Sequence, residues 1–121
     1  MSGALAFHAG LAAEYCVADL YRDRGCHLLA ERWRSAYGEI DLIFQNPQTG
    51  GLIFAEVKKS RSSAAAAARV TRAQIRRIQN AALLFVADQP LGQLTEMRFD
   101  AALVDMTGVV EIVENAFMDR A

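Results

Sequence analysis

The sequence predicts one α/β domain, residues 1–121, whose elements follow the order α-β-β-β-α-β-β. The chain is 121 residues long and 53% apolar, which gives it the length of one domain and enough apolar side chains for a core. Two segments repeat apolar residues at helical spacing, and five shorter apolar runs are bounded by turn residues. The sequence contains no internal repeat, so we expect a single domain.

The first helix and the first strand are predicted near the start of the chain. Residues 4–24 place apolar side chains at positions i, i+3, i+4 and i+7 from Ala13, and Gly25 is suited to end a helix. Residues 26–33, CHLLAERW, follow as a short run that predicts a strand.

Two further runs, 39–45 and 52–58, predict an antiparallel hairpin joined by the loop 46–51, which contains Pro and Gly. A loop of this length places Gln45 opposite Leu52. A slip by one residue would turn an apolar face of one strand toward the charged face of the other. Burial therefore favours this register, or one that differs by two residues.

The second half of the chain predicts one helix and two strands. Thr71 suits the N-cap of the helix, and Pro90 and Gly92 would end it. The apolar stripe of this helix consists of Ile75, Ile78, Ala82 and Phe85. Residues 98–105 and 109–114 are the last two candidate strands, separated by a turn that contains a glycine.

Four charged side chains gather at one end of the predicted hairpin. In the favoured register Asp41 faces Glu56 and Glu39 faces Lys58, all on one face of the sheet. The opposite face is predicted to be wholly apolar, with Ile40, Leu42, Phe44, Ile53, Ala55 and Val57. Two carboxylates directly opposite each other destabilise a sheet. Neutralisation by Lys58, protonation of one acid, or a divalent cation between the two acids would offset this cost.

The same group of charges has a chemical use. Carboxylate oxygens are preferred ligands of Mg²⁺, and a bound cation can activate a water molecule and stabilise charge on a phosphate. A lysine beside such a site can orient or deprotonate the water, or stabilise the developing charge. The four charges are therefore interpreted either as a site that cleaves phosphodiesters or as a salt-bridge cluster at a strand end.

Charge is distributed unevenly along the chain, although the net charge is only −1. Residues 57–80 hold seven Lys or Arg and no acid, whereas the segments before and after them hold seven acids each. A local basic block can bind a polyanion even when the whole chain is nearly neutral. Arg69, Arg72 and Arg76 fall on one helix face, which suits phosphate contacts with DNA or RNA. The alternative is an ordinary solvated helix face.

The composition also predicts the compartment. Cys16 and Cys26 form neither a disulfide framework nor a metal-binding pattern. The first residues lack the basic start and the long apolar stretch of a signal peptide, and no apolar run approaches the ~20 residues that cross a membrane. We expect a cytoplasmic protein that has no membrane partner.

The spacing of the acids resembles a known nuclease signature. Asp41, fourteen intervening residues and then Glu56-Val57-Lys58 resemble the D…(D/E)xK signature of the restriction-endonuclease-like nucleases. Further matches resemble the YraN-like family of small bacterial proteins over nearly the whole chain, namely Gly10 with Glu14, Gly25, and residues 31–34, 38–43, 54–58, 70–71, 98–100 and 114–117. The resemblance implies a restriction-endonuclease-like core, with a mixed central sheet and helices on its faces.

The relatives of that family include archaeal Holliday-junction resolvases, which are metal-dependent dimers that cut branched DNA. By this resemblance Asp41 and Glu56 are ligands of Mg²⁺ or Mn²⁺, with the carbonyl of Val57 as a third ligand, and Lys58 is the catalytic lysine. Glu14 matches the acid of the N-terminal helix that approaches the metal site in resolvase-like enzymes. DNA, in particular branched or structured DNA, is the implied partner, and a homodimer is left open.

The basic block supplies the predicted nucleic-acid contacts. These are Lys59, Arg61, Arg69, Arg72, Gln74, Arg76 and Arg77. Gln74 stands where the YraN-like family usually has a lysine, and it resembles a helix glutamine of some other nucleases with this fold. Residues 60–69, SRSSAAAAAR, depart from the family because they are rich in alanine and lack its usual acid.

Two functions therefore agree with the sequence. The first is a metal-dependent endonuclease that acts on structured DNA by phosphodiester hydrolysis. The second is a nucleic-acid-binding or adaptor module that keeps the nuclease fold and has little or no activity. Metal binding separates them, because only the first requires a competent Mg²⁺ or Mn²⁺ site.

Overall fold

A computed structural model describes residues 3–59 and 71–116, and within the first helix it describes side chains from residue 11 onward. The elements are α1 (Gly3–Asp23), β1 (His27–Ser35), β2 (Gly38–Gln45), β3 (Leu52–Lys59), α2 (Arg72–Ala87), a 3₁₀ turn (Gly92–Leu94), β4 (Met97–Val104) and β5 (Val110–Val113). The predicted order α-β-β-β-α-β-β is confirmed, and only the short 3₁₀ turn was not expected. No helix in the described ranges is long and apolar enough to cross a membrane.

The five strands form one mixed sheet in the order β1-β2-β3-β4-β5. Neighbouring strands are antiparallel except for β3 and β4, which are parallel. Parallel neighbours need a crossover connection, and α2 lies in the segment that connects these two strands. The topology is therefore the mixed α/β arrangement that the sequence and its family resemblance predicted.

Each helix covers one face of the sheet with its apolar stripe. The core on the α2 face contains Ile40, Ile43, Leu52, Phe54, Ile75, Ile78, Ala81, Ala82, Val86, Phe99, Ala101 and Leu103. The core on the α1 face contains Ala13, Val17, Ala18, Tyr21, Leu42, Phe44, Ile53, Ala55, Ala102 and Val104. Because both faces are covered, the central strands β3 and β4 are apolar on both sides.

The β2–β3 hairpin has the predicted register. Gln45 pairs with Leu52, and the pairing continues in step as far as Leu42 with Ala55. The backbone pairing ends there, one residue before Asp41 and Glu56 would meet as a regular pair. Beside the charged residues β3 remains paired only with β4, through Lys59.

The alternation of side chains is interrupted in the middle of β1 and β2. Ile40 and Ile43 both belong to the core on the α2 face, although Leu42 points to the α1 face. The prediction that Ile40 shares a face with Leu42 was wrong. The physical reason lies in the neighbouring strand, where Arg32 has a left-handed φ of 43° and the β1–β2 pairing skips both Arg32 and Asp41. One irregular position on each strand shifts the faces that follow.

A buried aspartate fixes α1 against the sheet. Asp100 on β4 is fully buried, and its carboxylate accepts a hydrogen bond of 2.7 Å from the Tyr21 hydroxyl of α1. Arg98 donates two further bonds of 2.9 Å, and the backbone N–H of Asn115 donates another of 2.9 Å. A buried carboxylate is stable only when its oxygens have such partners. This network sets the position of α1, and therefore of its residue Glu14, relative to the sheet.

Candidate active site

Asp41 and Glu56 meet where the β2–β3 backbone pairing ends. One oxygen of Asp41, Oδ2, accepts a hydrogen bond of 2.7 Å from the backbone N–H of Val57. The carboxyls of Asp41 and Glu56 also lie within hydrogen-bonding contact of each other. The side chain of Asp41 thus joins the two strands just beyond their last backbone pair. The two acids converge at this point, where the strands separate.

Burial and mutual repulsion favour one proton shared between the two acids at neutral pH. Burial, followed by the negative charge of Asp41, raises the pKa of Glu56 to about 8. Burial also raises the pKa of Asp41, although its hydrogen bond from Val57 partly offsets the change. We therefore assign the proton to Glu56, with Asp41 as the acceptor. A neighbouring like charge disfavours the ionisation of a carboxyl, which is one cause of the rise at Glu56.

The carboxylate of Glu56 has too few hydrogen-bond donors around it when both acids are ionised. Its Oε2 is buried and has no hydrogen-bond partner within the described part of the chain. Two carboxylates offer only acceptors, so the contact with Asp41 becomes a hydrogen bond only when a proton is present. The ammonium of Lys58 lies 3.9 Å from the other oxygen of Glu56, which is a weak ion pair. A proton or a cation is needed to complete this pair of acids.

A charged cavity of about 290 Å³ lies on the α1 face beside Asp41. It is lined by Ala13, Glu14, Arg32, Glu39, Asp41, Val57 and Lys59. A water molecule takes up about 30 Å³ of liquid, so the cavity has room for several waters or a phosphate group. Three acids and two bases therefore line one cavity.

The predicted single charged face is divided between the two sides of the sheet. Asp41 points to the α1 side of the sheet. Glu56 and Lys58 point to the α2 side, because their partners on the parallel strand β4, Ala101 and Leu103, belong to the core on that face. The carboxyls of Asp41 and Glu56 still meet, because the strands separate at this point. The division follows from the shift at Arg32 and Asp41, which strict alternation could not predict.

Glu14 lines the same cavity as Asp41, but it already has a cationic partner. The guanidinium of Arg32 donates a hydrogen bond of 2.8 Å to Glu14. Burial raises the pKa of Glu14, the charge of Arg32 offsets that rise, and the negative charges of Asp41 and Glu39 add to it. Sequence reasoning missed Arg32. Its inward direction depends on its left-handed backbone, and no periodic pattern of charges in 26–33 signals that conformation.

Glu39 has a different partner from the one predicted. It pairs with Arg34 of β1 at 3.3 Å rather than facing Lys58. The cause is again the end of the hairpin pairing at Leu42 and Ala55, since Glu39 continues to pair with β1 while β3 continues with β4. Lys58 consequently forms its ion pair with Glu56, and its positive charge also lowers the pKa of Asp41.

The donor groups suit a cation held by two carboxylates. Among the described residues, no three His, Cys, Asp or Glu side chains are close enough to hold a metal ion together. The implied set of Asp41, Glu56 and Glu14 is therefore not assembled. Mg²⁺, however, is commonly bound through one or two carboxylates and keeps several waters. The contact between Asp41 and Glu56, with an unpartnered buried oxygen, meets that smaller requirement.

The second helix begins at the predicted N-cap. Thr71 accepts a hydrogen bond of 3.2 Å from the backbone N–H of Gln74, and the side chain of Gln74 accepts one of 2.9 Å from the N–H of Thr71. This reciprocal pair is a capping box, which satisfies two backbone donors at the start of a helix. The structure thus gives Gln74 a capping role, while its predicted contact with nucleic acid stays a prediction.

The remaining basic residues lie on both sides of the acid pair. Arg72, Arg76 and Arg77 are exposed on α2, and Lys59 lines the cavity on the α1 face. The side chain of Arg77 packs against Gly38, and a Cβ added at Gly38 would lie only 2.9 Å from the Cδ of Arg77. Arg77 also lowers the pKa of Glu56 slightly by its positive charge. Two predicted contacts, Arg61 and Arg69, and the 60–69 segment that holds them lie outside the described residues.

Comparison with known proteins places the chain in a family. The model of the uncharacterised protein family UPF0102 matches residues 13–104, which include Glu14, Asp41, Glu56 and Lys58. A UPF0102 protein of Cereibacter sphaeroides is 55% identical over 117 residues, covering 97% of this chain and 98% of the relative. A UPF0102 protein of Roseobacter denitrificans is 48% identical over 118 residues, covering 98% of this chain and 90% of the relative.

A UPF0102 protein of Ruegeria pomeroyi is 52% identical over 109 residues, covering 90% of this chain and 87% of the relative. These relatives match this chain over most of their own length, and the family model spans the second half of α1, the helix α2 and the strands β1 to β4. The chain therefore belongs to the UPF0102 family, the YraN-like proteins whose motifs its sequence resembles.

Proposed function

We propose that this protein is a metal-dependent endonuclease that acts on structured DNA. The observation that carries the proposal is the contact between two partly buried carboxyls, Asp41 and Glu56, where burial, followed by the charge of Asp41, raises the pKa of Glu56 to about 8. A purely structural ion-pair cluster would bring opposite charges together. This pair instead brings like charges together and leaves a buried oxygen unpartnered, which is typical of a site that binds a cation.

Asp41 and Glu56 would hold Mg²⁺ or Mn²⁺, and the carbonyl of Val57 remains a proposed third ligand. A divalent cation bound there supplies an activated water molecule and stabilises charge on a phosphate. Lys58, whose ammonium lies 3.9 Å from Glu56, would orient that water and stabilise the charge that develops on the phosphate. Lys59 lines the cavity on the α1 face, where a phosphate has room to bind.

The basic residues of α2 support DNA as the substrate. Arg72 and Arg76 are one helical turn apart and exposed, so both can reach phosphates of one duplex. Such contacts position a nucleic acid without reading its sequence, which suits recognition of a structured substrate by shape. A homodimer that binds the DNA, as in the resolvases, is also part of the proposal, and it is supported only by the family resemblance.

The second candidate is a nucleic-acid-binding module without activity. One observation favours it: Glu14, the acid expected to approach the metal, is already paired with Arg32 at 2.8 Å. A module of this kind would keep the basic residues of α2 and bind DNA whether or not a divalent cation is present.

A cleavage panel separates the two functions. Branched, flap, single-stranded and duplex DNA are incubated with the protein and Mn²⁺, or with the protein and EDTA. The proposed enzyme cuts at least one structured DNA with Mn²⁺ and none with EDTA, and Asp41→Asn loses the activity. The matched control is Asp19→Asn, which changes an exposed acid on α1. DNA binding without cleavage under every condition would favour the binding module.

A further inference from the structure

Arg32 has an unusual backbone for a residue within a strand. Its φ is 43°, in the left-handed region that residues with a Cβ rarely adopt. The β1–β2 pairing skips Arg32 and resumes at Trp33, so the side chain turns toward α1 and the charged cavity. Strained conformations of this kind persist when other contacts stabilise them, and they occur often at functional sites.

The contacts of Arg32 show what it stabilises. Its guanidinium bonds Glu14 at 2.8 Å, and both side chains are largely shielded, with 36% of Arg32 and 16% of Glu14 exposed. Glu14 is also close enough to Asp41 and Glu39 for their negative charges to raise its pKa. Arg32 therefore provides a positive charge among three acids that line one cavity.

We propose that Arg32 is a built-in counter-ion that competes with a divalent cation for the acids of this cavity. In the metal-free protein it neutralises Glu14 and reduces repulsion with Asp41. When a cation binds at Asp41, the guanidinium and the cation repel each other, so Arg32 must move away from Glu14 or weaken the binding. Arg32 is in this sense a positioning residue that sets the metal affinity. The inference rests on the proposed metal site.

The size of the effect follows from elementary electrostatics. A tenfold change in affinity corresponds to about 1.4 kcal/mol, which is the order of the repulsion between a guanidinium and a divalent cation that share one solvent-accessible cavity. A merely structural role for Arg32 has a different signature. It would change the stability of the protein equally with and without metal and leave the affinity unchanged.

The test measures Mn²⁺ and Mg²⁺ affinity by titration calorimetry, together with thermal melts with and without the metal. The variant is Arg32→Asn, because asparagine tolerates a left-handed backbone while the charge and the bond to Glu14 are removed. Arg32→Gly is the second variant, since glycine adopts this conformation freely. Arg32→Lys restores the charge, and Arg22→Asn removes a more exposed arginine from the end of α1.

We expect Arg32→Asn and Arg32→Gly to bind the metal about tenfold more tightly than the wild type, with larger metal-dependent shifts in melting temperature. Arg32→Lys and Arg22→Asn should bind it with near wild-type affinity. Equal or weaker binding by both Arg32→Asn and Arg32→Gly would overturn the inference. In that case, metal binding by the wild type would still support the proposed function. If the wild type binds no metal but Arg32→Asn does, the inference stands and the wild-type metal site fails. Absence of binding in all variants would overturn both.

Discussion

Among individual residues, the most consequential interaction is the repulsion between Asp41 and Glu56. Both side chains are partly buried, so water screens their charges less than at the surface. A proton on Glu56, which its raised pKa favours, would relieve the repulsion, and Lys58 at 3.9 Å contributes only weakly. The stability of the protein should therefore depend on the protonation of this pair.

The sign of that dependence follows from the raised pKa of Glu56, about 8 in the folded state against an ordinary value of 4.5. Between these two values the folded protein retains a proton that the unfolded chain has released. The free energy of unfolding of the metal-free protein should therefore fall as the pH rises from about 4.5 to about 8, and then level off.

Glu56→Gln should remove most of this slope, because an amide can donate a hydrogen bond to Asp41 at any pH. The variant should be more stable than the wild type near the upper end of the window. Urea denaturation in EDTA at a series of pH values measures both effects, with Glu111→Gln on β5 as an exposed control. A wild-type curve without this slope would show that the pair does not hold a proton.

Lys58 should behave differently from the acids. Its ammonium is 3.9 Å from Glu56, on the α2 side of the sheet, so it adds positive charge near the proposed metal without being a ligand. Lys58→Ala should bind Mn²⁺ at least as tightly as the wild type and should lose DNA cleavage. Calorimetry and the cleavage panel test this together. Loss of metal binding in Lys58→Ala would assign the lysine a structural role at the site instead.

At the level of the elements, the hairpin shows which features a sequence determines and which it does not. The β2–β3 register was predicted because a slip by one residue would bury charges, and the pairs from Gln45 to Leu42 confirm it. The face of Asp41 was not predictable. It depends on the left-handed backbone of Arg32, which tertiary contacts with Glu14 stabilise and which no local pattern indicates.

The helix α2 supplies the second element-level property, a row of exposed arginines. If Arg72 and Arg76 bind phosphates, replacing both with alanine should weaken DNA binding for all sequences alike. The slope of log K against log[salt] should shrink by up to about 0.9 for each duplex phosphate that the variant no longer neutralises. Fluorescence anisotropy over a range of salt concentrations measures the slope, with Arg22→Ala on α1 as the control. An unchanged slope would identify the row as an ordinary solvated face.

For the whole molecule, the position of the site depends on contacts between distant parts of the chain. The parallel pairing of β3 with β4 leaves the end of β3 free to separate from β2, and it is at this separation that the two acids meet. The buried Asp100 connects Tyr21 of α1 to β4 and to Asn115 after β5, which places Glu14 and the cavity beside Asp41.

The sequence matches to the YraN-like family include residues 98–100 and 114–117. The structure connects these two segments, because Asp100 accepts hydrogen bonds from Arg98 and from the backbone N–H of Asn115. The spacing of the strands predicted their order along the chain. Beyond the β2–β3 hairpin, it did not predict which strands are neighbours or which run parallel, because sheet pairing depends on contacts between residues far apart in sequence. The network around Asp100 could not be predicted for the same reason, since Tyr21 and Asp100 are 79 positions apart.

The central claim is that the two facing acids of the hairpin bind a divalent cation. Thermal melts of the wild type, of Asp41→Asn and of the exposed control Asp19→Asn, each with and without Mg²⁺ or Mn²⁺, test it most directly. The wild type and Asp19→Asn should melt at higher temperature with metal, and Asp41→Asn should lose most of that shift. No metal-dependent shift in the wild type up to millimolar concentrations, or an undiminished shift in Asp41→Asn, would contradict the claim.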